Sequence, residues 1–268
     1  MRIQLTSRDP SAIGGVQSWV RIMAPAFRDL GHTIVGHDTP ADLGIMGSRV
    51  WPEGATKVIQ VCHGILEHER PDHRAHAWAF VSEESGKHWK GTGPIVRQPL
   101  HFPDSRWDTP THRTDGPIIR FSYYGGLNWL PGMVESLGRR FLHIQETPFD
   151  DALPILQTAA CVVASGRAAL ECAAHGIPVL ILDSRTYQGT LCGGMLGDWY
   201  QQEVRVSCSG RTGKAEGEWV HEIQRARVQN LLEATTFERF CPPIDTHHPH
   251  TVARQLLDLA RTVSQTVH

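Results

Sequence analysis

Residues 161–183, CVVASGRAALECAAHGIPVLILD, hold a complete strand–turn–helix–turn–strand unit. Cys161–Ser165 is a short β-branched apolar run, which suits a strand buried on both faces. Arg167–His175 has the Ala/Leu content of a helix, Gly176 stops it, and Ile177–Asp183 is a second buried run. Two strands joined through one helix form a parallel crossover unit. Between strand and helix, the bare Ser165-Gly166 turn puts backbone N–H groups at a helix N-terminus, where the dipole favours an anion. Gly166 has no Cβ, so a phosphate can come close. Glu171 lies about one and a half turns in, near enough to reach a ribose diol attached to that phosphate. A carboxylate can accept from both hydroxyls of a diol. The alternative is a solvated acid favoured by the helix dipole. The flanks of Glu171, Ala169-Leu170 and Cys172-Ala173-Ala174, argue for burial, and an unpaired buried acid is costly.

The same alternation extends outward. IIRFSYY (118–124) reads as a strand, Asn128–Leu137 as a helix, RFLHIQE (140–146) as a strand, and DDALPILQTA (150–159) as a helix capped by Asp150. Beyond the opening stretch, VRVSC (204–208) reads as a strand, and Glu218–Ala234 and His250–Val263 as helices. The last carries Val252, Leu256, Leu259 and Val263 on one face. A separate series opens the chain. RIQLT (2–6), HTIVG (32–36), DLGIMG (42–47), TKVIQVC (56–62), AWAFVS (77–82) and PIVRQP (94–99) read as strands. Val16–Leu30 is a helix closed by Gly31, and Pro25 is expected to kink or split it. PDSRWDTPTHRTDGP (103–117) lacks periodicity and reads as the linker. Two α/β series imply two domains, 1–110 and 111–268, with the last helix (about 250–264) a candidate to pack back on the first. Ligands of parallel sheets bind beyond the carboxyl ends of strands, and with two domains the natural site is the cleft between them.

The chain has 268 residues and a net charge of -2. Charges balance over residues 1–112, so neither half is a polyelectrolyte and no global footprint for nucleic acid or anionic membrane exists. None of the six cysteines (Cys62, Cys161, Cys172, Cys192, Cys208, Cys241) is paired as CxxC. Buried free thiols in a reducing compartment are expected. MRIQLTSRD runs straight into a strand without the apolar core of a signal peptide, and no run approaches the roughly 18 apolar residues of a membrane span. A cytoplasmic protein without an integral membrane segment is the expectation. DTHHPH (245–250) invites a metal reading. No second ligand group at metal spacing accompanies it, which favours a helix-entry loop. HGILEHERPDHRAH (63–76) reads as a polar inter-strand loop, a candidate for the acceptor side.

SGRAALECAAHGIPVLI resembles the nucleotide-sugar site of GT-B glycosyltransferases, which have two Rossmann-like domains facing across a cleft. The remaining pieces resemble glycosyltransferase family 4 in order as well as kind. These are GGVQSWVRIMAPAFRDLGHTIV (14–35), VIQVCHGI (58–65), FVSEESGKHW (80–89) and GPIVRQPLHFP (93–103). The resemblance covers about residues 1–190. It implies that Ser165, Gly166 and Arg167 bind the donor diphosphate and Glu171 the ribose. It implies that His63 touches the donor sugar or relays a proton, and that Gly14 and Gly15 offer N–H groups to phosphate or acceptor. Gly189 and Thr190, in the loop DSRTYQGTLCGG, are candidates to face the donor.

Two departures stand out. Val163 occupies the position of the first of two family 4 glutamates, and the S-G-x-x-x-x-E form is closer to the inverting transferases that build the peptidoglycan precursor. Retention or inversion at the anomeric carbon therefore stays open. The Arg and Lys of G-R-x-x-x-x-K-G are also missing. Arg120 is either a strand arginine without a role or, with Arg167, a charge for the leaving diphosphate.

The expected fold is α/β, two Rossmann-like domains with parallel sheets facing across a cleft. The expected activity is metal- and cofactor-independent transfer of a hexosyl or pentosyl group from a nucleotide-diphosphate sugar, a UDP-sugar first, to a hydroxyl acceptor. That acceptor could be a surface glycan precursor, a lipid-linked glycan or a hydroxymethylated DNA base, the last a task for a compact viral enzyme. The competing classes are a nucleotide-sugar epimerase or hydrolase on the same scaffold, and a non-catalytic nucleotide-binding protein.

Overall fold

The computed structural model describes residues 1–7, 15–47, 49–64, 67–103, 111–112, 115–122, 127–182, 194–195, 217–234 and 236–263. Gly14, Gly189, Thr190, Cys192, Cys208 and the expected strand 204–208 lie outside the described residues. Met1–His101, with the C-terminal segment from Pro243, forms one compact unit, and Phe102–Pro242 forms the other.

In the first unit the strands are β1 (Arg2–Thr6), β2 (Thr33–Val35), β3 (Leu43–Met46), β4 (Val58–Cys62) and β5 (Ala77–Phe80). They pair in the order β2-β1-β3-β4-β5, all parallel, and helix α2 (Glu83–Trp89) follows β5. Every residue of β3 and β4 is buried, as expected for strands covered on both faces. Helix α1 (Gly15–Asp29) buries Trp19, Ile22, Met23, Ala26 and Phe27. It runs through Pro25 without the expected split. A helical proline costs about 3 kcal/mol. Burying each large apolar side chain returns about 1.5–3 kcal/mol, so Met23 and Phe27, both wholly buried, hold the helix together. Gly31, at φ +81°, closes it. There His32 N–H donates to the Phe27 carbonyl and Gly31 N–H to the Arg28 carbonyl, a Schellman cap.

The final helix, α8 (Pro249–Val263), places Val252, Ala253, Leu256, Leu257 and Ala260 in this same core. The DTHHPH segment is not the expected helix-entry loop: Asp245–His247 close a short helix and Pro249-His250 open the last one, with only His248 between them. His247 is buried, and His250 Nε2 lies 3.1 Å from Asp29 Oδ2. PIVRQP (94–99) does not form the expected strand. Only Phe80 N–H to Pro94 O and Val96 N–H to Phe80 O join it to β5. Pro94 and Pro99 have no N–H to continue a ladder.

The polar loop between β4 and β5 is tied down by side chains. Gln60 Oε1 accepts from Asp72 N–H at 2.6 Å, and Gln60 Nε2 donates to Arg70 O at 2.9 Å. Trp78 Nε1 donates to Asp72 O, and the Asp72 carboxylate accepts from Arg74 Nη2 at 2.7 Å.

In the second unit, β7 (Ile118–Ser122), β8 (Phe141–Gln145), β9 (Cys161–Ala164), β10 (Val179–Ile181) and β11 (Gly194–Met195) pair in the order β11-β10-β9-β7-β8. All pairs are parallel except β10 with β11. Helices α3 (Leu130–Ser136), α4 (Phe149–Leu156), α5 (Gly166–Ala174) and α6 (Gly217–Leu232) connect or follow these strands. Leu130, Val134, Val163, Leu180, Val228 and Leu232 share one core. Within the expected linker, β6 (Thr111–His112) pairs antiparallel with β12 (Phe237–Glu238). Asp150 does not cap α4. Pro148 holds the cap position, and Asp150 and Asp151 sit in the first turn, where they favour the dipole.

Cys62, Cys161 and Cys172 are buried free thiols. Burial pushes Cys62 and Cys161 up to about 12 and raises Cys172 as well, so none is a nucleophile at neutral pH. No described helix is long and apolar enough to cross a membrane.

The Asp72–Arg74 pair gives a pH-dependent prediction. Hydrogen bonds from Arg74 hold the Asp72 carboxyl at about 2. The folded value lies below the unfolded one, so the stabilisation is complete above the ordinary carboxylate range and is lost as pH falls through about 2. Arg74 is 56% exposed, which screens the pair. Asp72→Asn should therefore cost about 1–2 kcal/mol at neutral pH. In urea unfolding the deficit should close as the pH approaches the folded value.

Candidate functional site

In the second sheet the first connection, β7 to β8, goes to one side and β9 joins β7 on the other. The strand order therefore reverses between β7 and β9, and open parallel sheets take ligands in the crevice at the carboxyl ends beside such a reversal. There β9 ends at Ala164. Ser165 continues extended at φ −142°, ψ 165°, and Gly166 turns left-handed at φ +58° into α5. The Ser165 hydroxyl makes no capping bond to the helix.

The structure brings Arg167 and Glu171 together. Arg167 Nε donates to Glu171 Oε1 at 2.7 Å, and the two side chains are only 8% and 13% exposed. This pairing supplies the partner that a buried acid requires. Their separate expected roles become a joint one. The bond uses one carboxylate oxygen, so the carboxylate keeps capacity to accept from hydroxyls. At the far end of α5, His175 Nδ1 lies 2.9 Å from Glu171 O, and its ring is 5.1 Å from Phe149.

Arg120 is buried in β7, in register with His143 of β8 and Val163 of β9. Neighbours in register share a sheet face. The Arg120 charge adds to burial in lowering the His143 pKa, and His143 Nε2 lies 3.1 Å from Ser122 Oγ. Val163 is 1% exposed and belongs to the core, so no acid stands there.

The first sheet reverses its order between β1 and β3. His63 follows β4 and is 6% exposed. Its ring meets Trp19 edge-on, centroids 5.5 Å apart at 81°, and its Nδ1 lies 3.2 Å from Gln98 Nε2. A Cβ on Gly47, just past β3, would lie 3.1 Å from His63 Nε2 and 2.7 Å from Val16 Cγ1, so only glycine fits. Gly15, the first residue of α1, would direct a Cβ into open space.

Ser165, Gly166, Arg167 and Glu171 thus share one turn and helix, with Arg120 in the strand next to β9. His63 and Gly15 belong to the first unit. Sequence reasoning missed Gln98 and Gly47. Gln98 looked like an interior residue of a strand, and Gly47 like an ordinary strand terminator.

No family model matches this chain, and no curated protein does. Among solved structures it is similar to AviGT4, described as a glycosyltransferase involved in avilamycin A biosynthesis. The TM-score is 0.57 and the identity 16%, over 99% of this chain and 98% of that one. The likeness gives the fold: α/β, with two Rossmann-like units of the GT-B type.

Glu171→Ala removes the carboxylate from a nearly buried ion pair and should cost about 2–3 kcal/mol in urea unfolding. Glu171→Gln keeps an acceptor for Arg167 Nε and should cost roughly half as much. Gly166→Ala forces a Cβ into the left-handed region, and about 1–2 kcal/mol should be lost in the same measurement.

Proposed function

We propose that this protein is a glycosyltransferase that moves a sugar from a nucleotide-diphosphate sugar, a UDP-sugar first, to a hydroxyl acceptor. One observation carries the reading. The left-handed Ser165-Gly166 turn heads α5 at the carboxyl end of β9, and the Arg167–Glu171 pair lies within that helix's first turns. A glycosyltransferase shares the fold over nearly the whole length of both chains.

In this reading the departing diphosphate lies over the start of α5. The helix dipole, Arg167 and Arg120 offset the charge that builds on the leaving oxygen, so the step needs no bound metal. Glu171, aligned by Arg167, accepts from the ribose hydroxyls. His63 meets the donor sugar or relays a proton. Gly14 and Gly15 bring backbone N–H groups to phosphate or acceptor, and Gly189 and Thr190 lie on the donor side. The acceptor is a hydroxyl of a glycan precursor, a lipid-linked glycan or a hydroxymethylated DNA base, encountered in the cytoplasm. Val163 favours a second reading, a protein that holds nucleotide without transferring sugar, because the position of the first family 4 glutamate is a core valine.

A donor screen that scores nucleotide release, with and without these acceptors, separates the readings. The expected result is UDP release from a UDP-sugar that rises with one acceptor. Glu171→Gln should lower kcat/KM about tenfold or more, the loss of roughly one charge-assisted hydrogen bond. Tight UDP binding without release from any donor would select the non-catalytic reading. Equal UDP affinity in wild type and Glu171→Gln would remove the site assignment.

A further inference from the structure

We infer that Gln98 is a positioning residue that holds His63 as the neutral Nε2–H tautomer, and that His247 in turn holds Gln98. The inference deepens the proposed role of His63 and rests on that reading for its consequence, though not for its geometry.

His247, in the short helix α7 (Ile244–His247), is 2% exposed, and its Nδ1 lies 2.6 Å from the Gln98 carbonyl oxygen. A carbonyl only accepts, so the His247 proton sits on Nδ1. Two residues on, Leu100 N–H donates to the His247 carbonyl at 2.9 Å. The backbone is therefore fastened on both sides of Pro99. This matters because the segment has lost its own ladder. Its last bond to β5 is made by Val96, and beyond that point the sheet no longer fixes it. Residues distant in sequence take over, and they set where the Gln98 side chain starts.

That side chain is 5% exposed, and its Nε2 lies 3.2 Å from His63 Nδ1. An amide nitrogen can only donate, so Nδ1 must accept with its lone pair. A neutral imidazole has a single N–H, which is then on Nε2. Trp19, edge-on at 5.5 Å, limits rotation of the ring. Nε2 is left beside Gly47, 3.1 Å from the point a Cβ there would occupy, just past β3 at the edge of the β1/β3 reversal. The residue types fit the purpose. Glutamine gives a donor without a charge, whereas a carboxylate at 98 would accept from Nδ1–H and favour the opposite tautomer or the imidazolium. The tautomer therefore puts the His63 proton on the nitrogen beside Gly47, and the role proposed for His63 at the sugar would draw on that proton.

The test is long-range ¹⁵N–¹H correlation NMR on the full-length labelled protein at neutral pH. His63 is identified by its disappearance in His63→Asn. The expected wild-type pattern has Nε2 protonated and Nδ1 bare. In Gln98→Glu the proton should move to Nδ1 or both nitrogens should be protonated. Gln98→Met, which removes the donor at similar volume, should give a mixture of tautomers, and His247→Phe a partial one. A wild-type His63 protonated on Nδ1 would overturn the inference, and so would an unchanged pattern in Gln98→Glu. If Gln98→Glu fails to fold, the wild type and Gln98→Met decide by the same criteria. The measurement uses neither donor nor acceptor, so it does not depend on glycosyl transfer. Full activity of His63→Ala in the donor screen would remove the role of His63 and leave the tautomer result standing.

Discussion

The site depends on how one buried strand hands its chain to a helix. β9 is buried along its whole length, and the crossover must turn at once to pack α5 back on the sheet. Gly166 makes that turn in a left-handed conformation that a side chain would strain. With the turn this tight, the first turns of α5 come directly off the end of the strand. Arg167 and Glu171 then lie one above the other on the helix, where spacing by four residues lets them pair. A looser turn would move both and disturb the pair.

The same pattern recurs in three buried or nearly buried polar groups. Glu171 has Arg167, His63 has Gln98, and Asp72 has Arg74 with the Gln60 amide beneath it. In each case a group too costly to bury alone is held by a specific partner, and its direction is set as a result. Glu171 and His63 lie just past the carboxyl ends of β9 and β4, while the Asp72–Arg74 pair lies before the start of β5. The carboxyl ends are where a parallel sheet leaves room for a ligand.

Much of this was legible in the sequence because it is local. The β-branched runs at 42–47, 56–62 and 161–165 formed strands, and Gly31 and Gly166 took the special conformations their places require. The spacing of Arg167 and Glu171 by four residues is also legible, but the depth that makes them a pair rather than two separate ligand contacts comes from packing and not from the local sequence. Other readings failed. The segment 94–99 leaves the ladder after Val96, and a proline rather than Asp150 took the cap of α4. Apolar burial keeps α1 one helix through Pro25, so of the expected kink or split the split does not occur. The Gln98 contacts reach 35 residues back and 149 forward, and no local pattern encodes such pairs. His247, which looked like part of a metal-like cluster, turned out to be a buried clamp.

The central claim is that α5 of the second unit is the nucleotide-diphosphate site. The position of UDP in a crystal of the complex tests it most directly. The account predicts the diphosphate against the Ser165-Gly166 turn, with both ribose hydroxyls on the Glu171 carboxylate and the Arg167–Glu171 pair intact. UDP bound elsewhere on the chain, or bound with Glu171 turned away from the ribose, would contradict it.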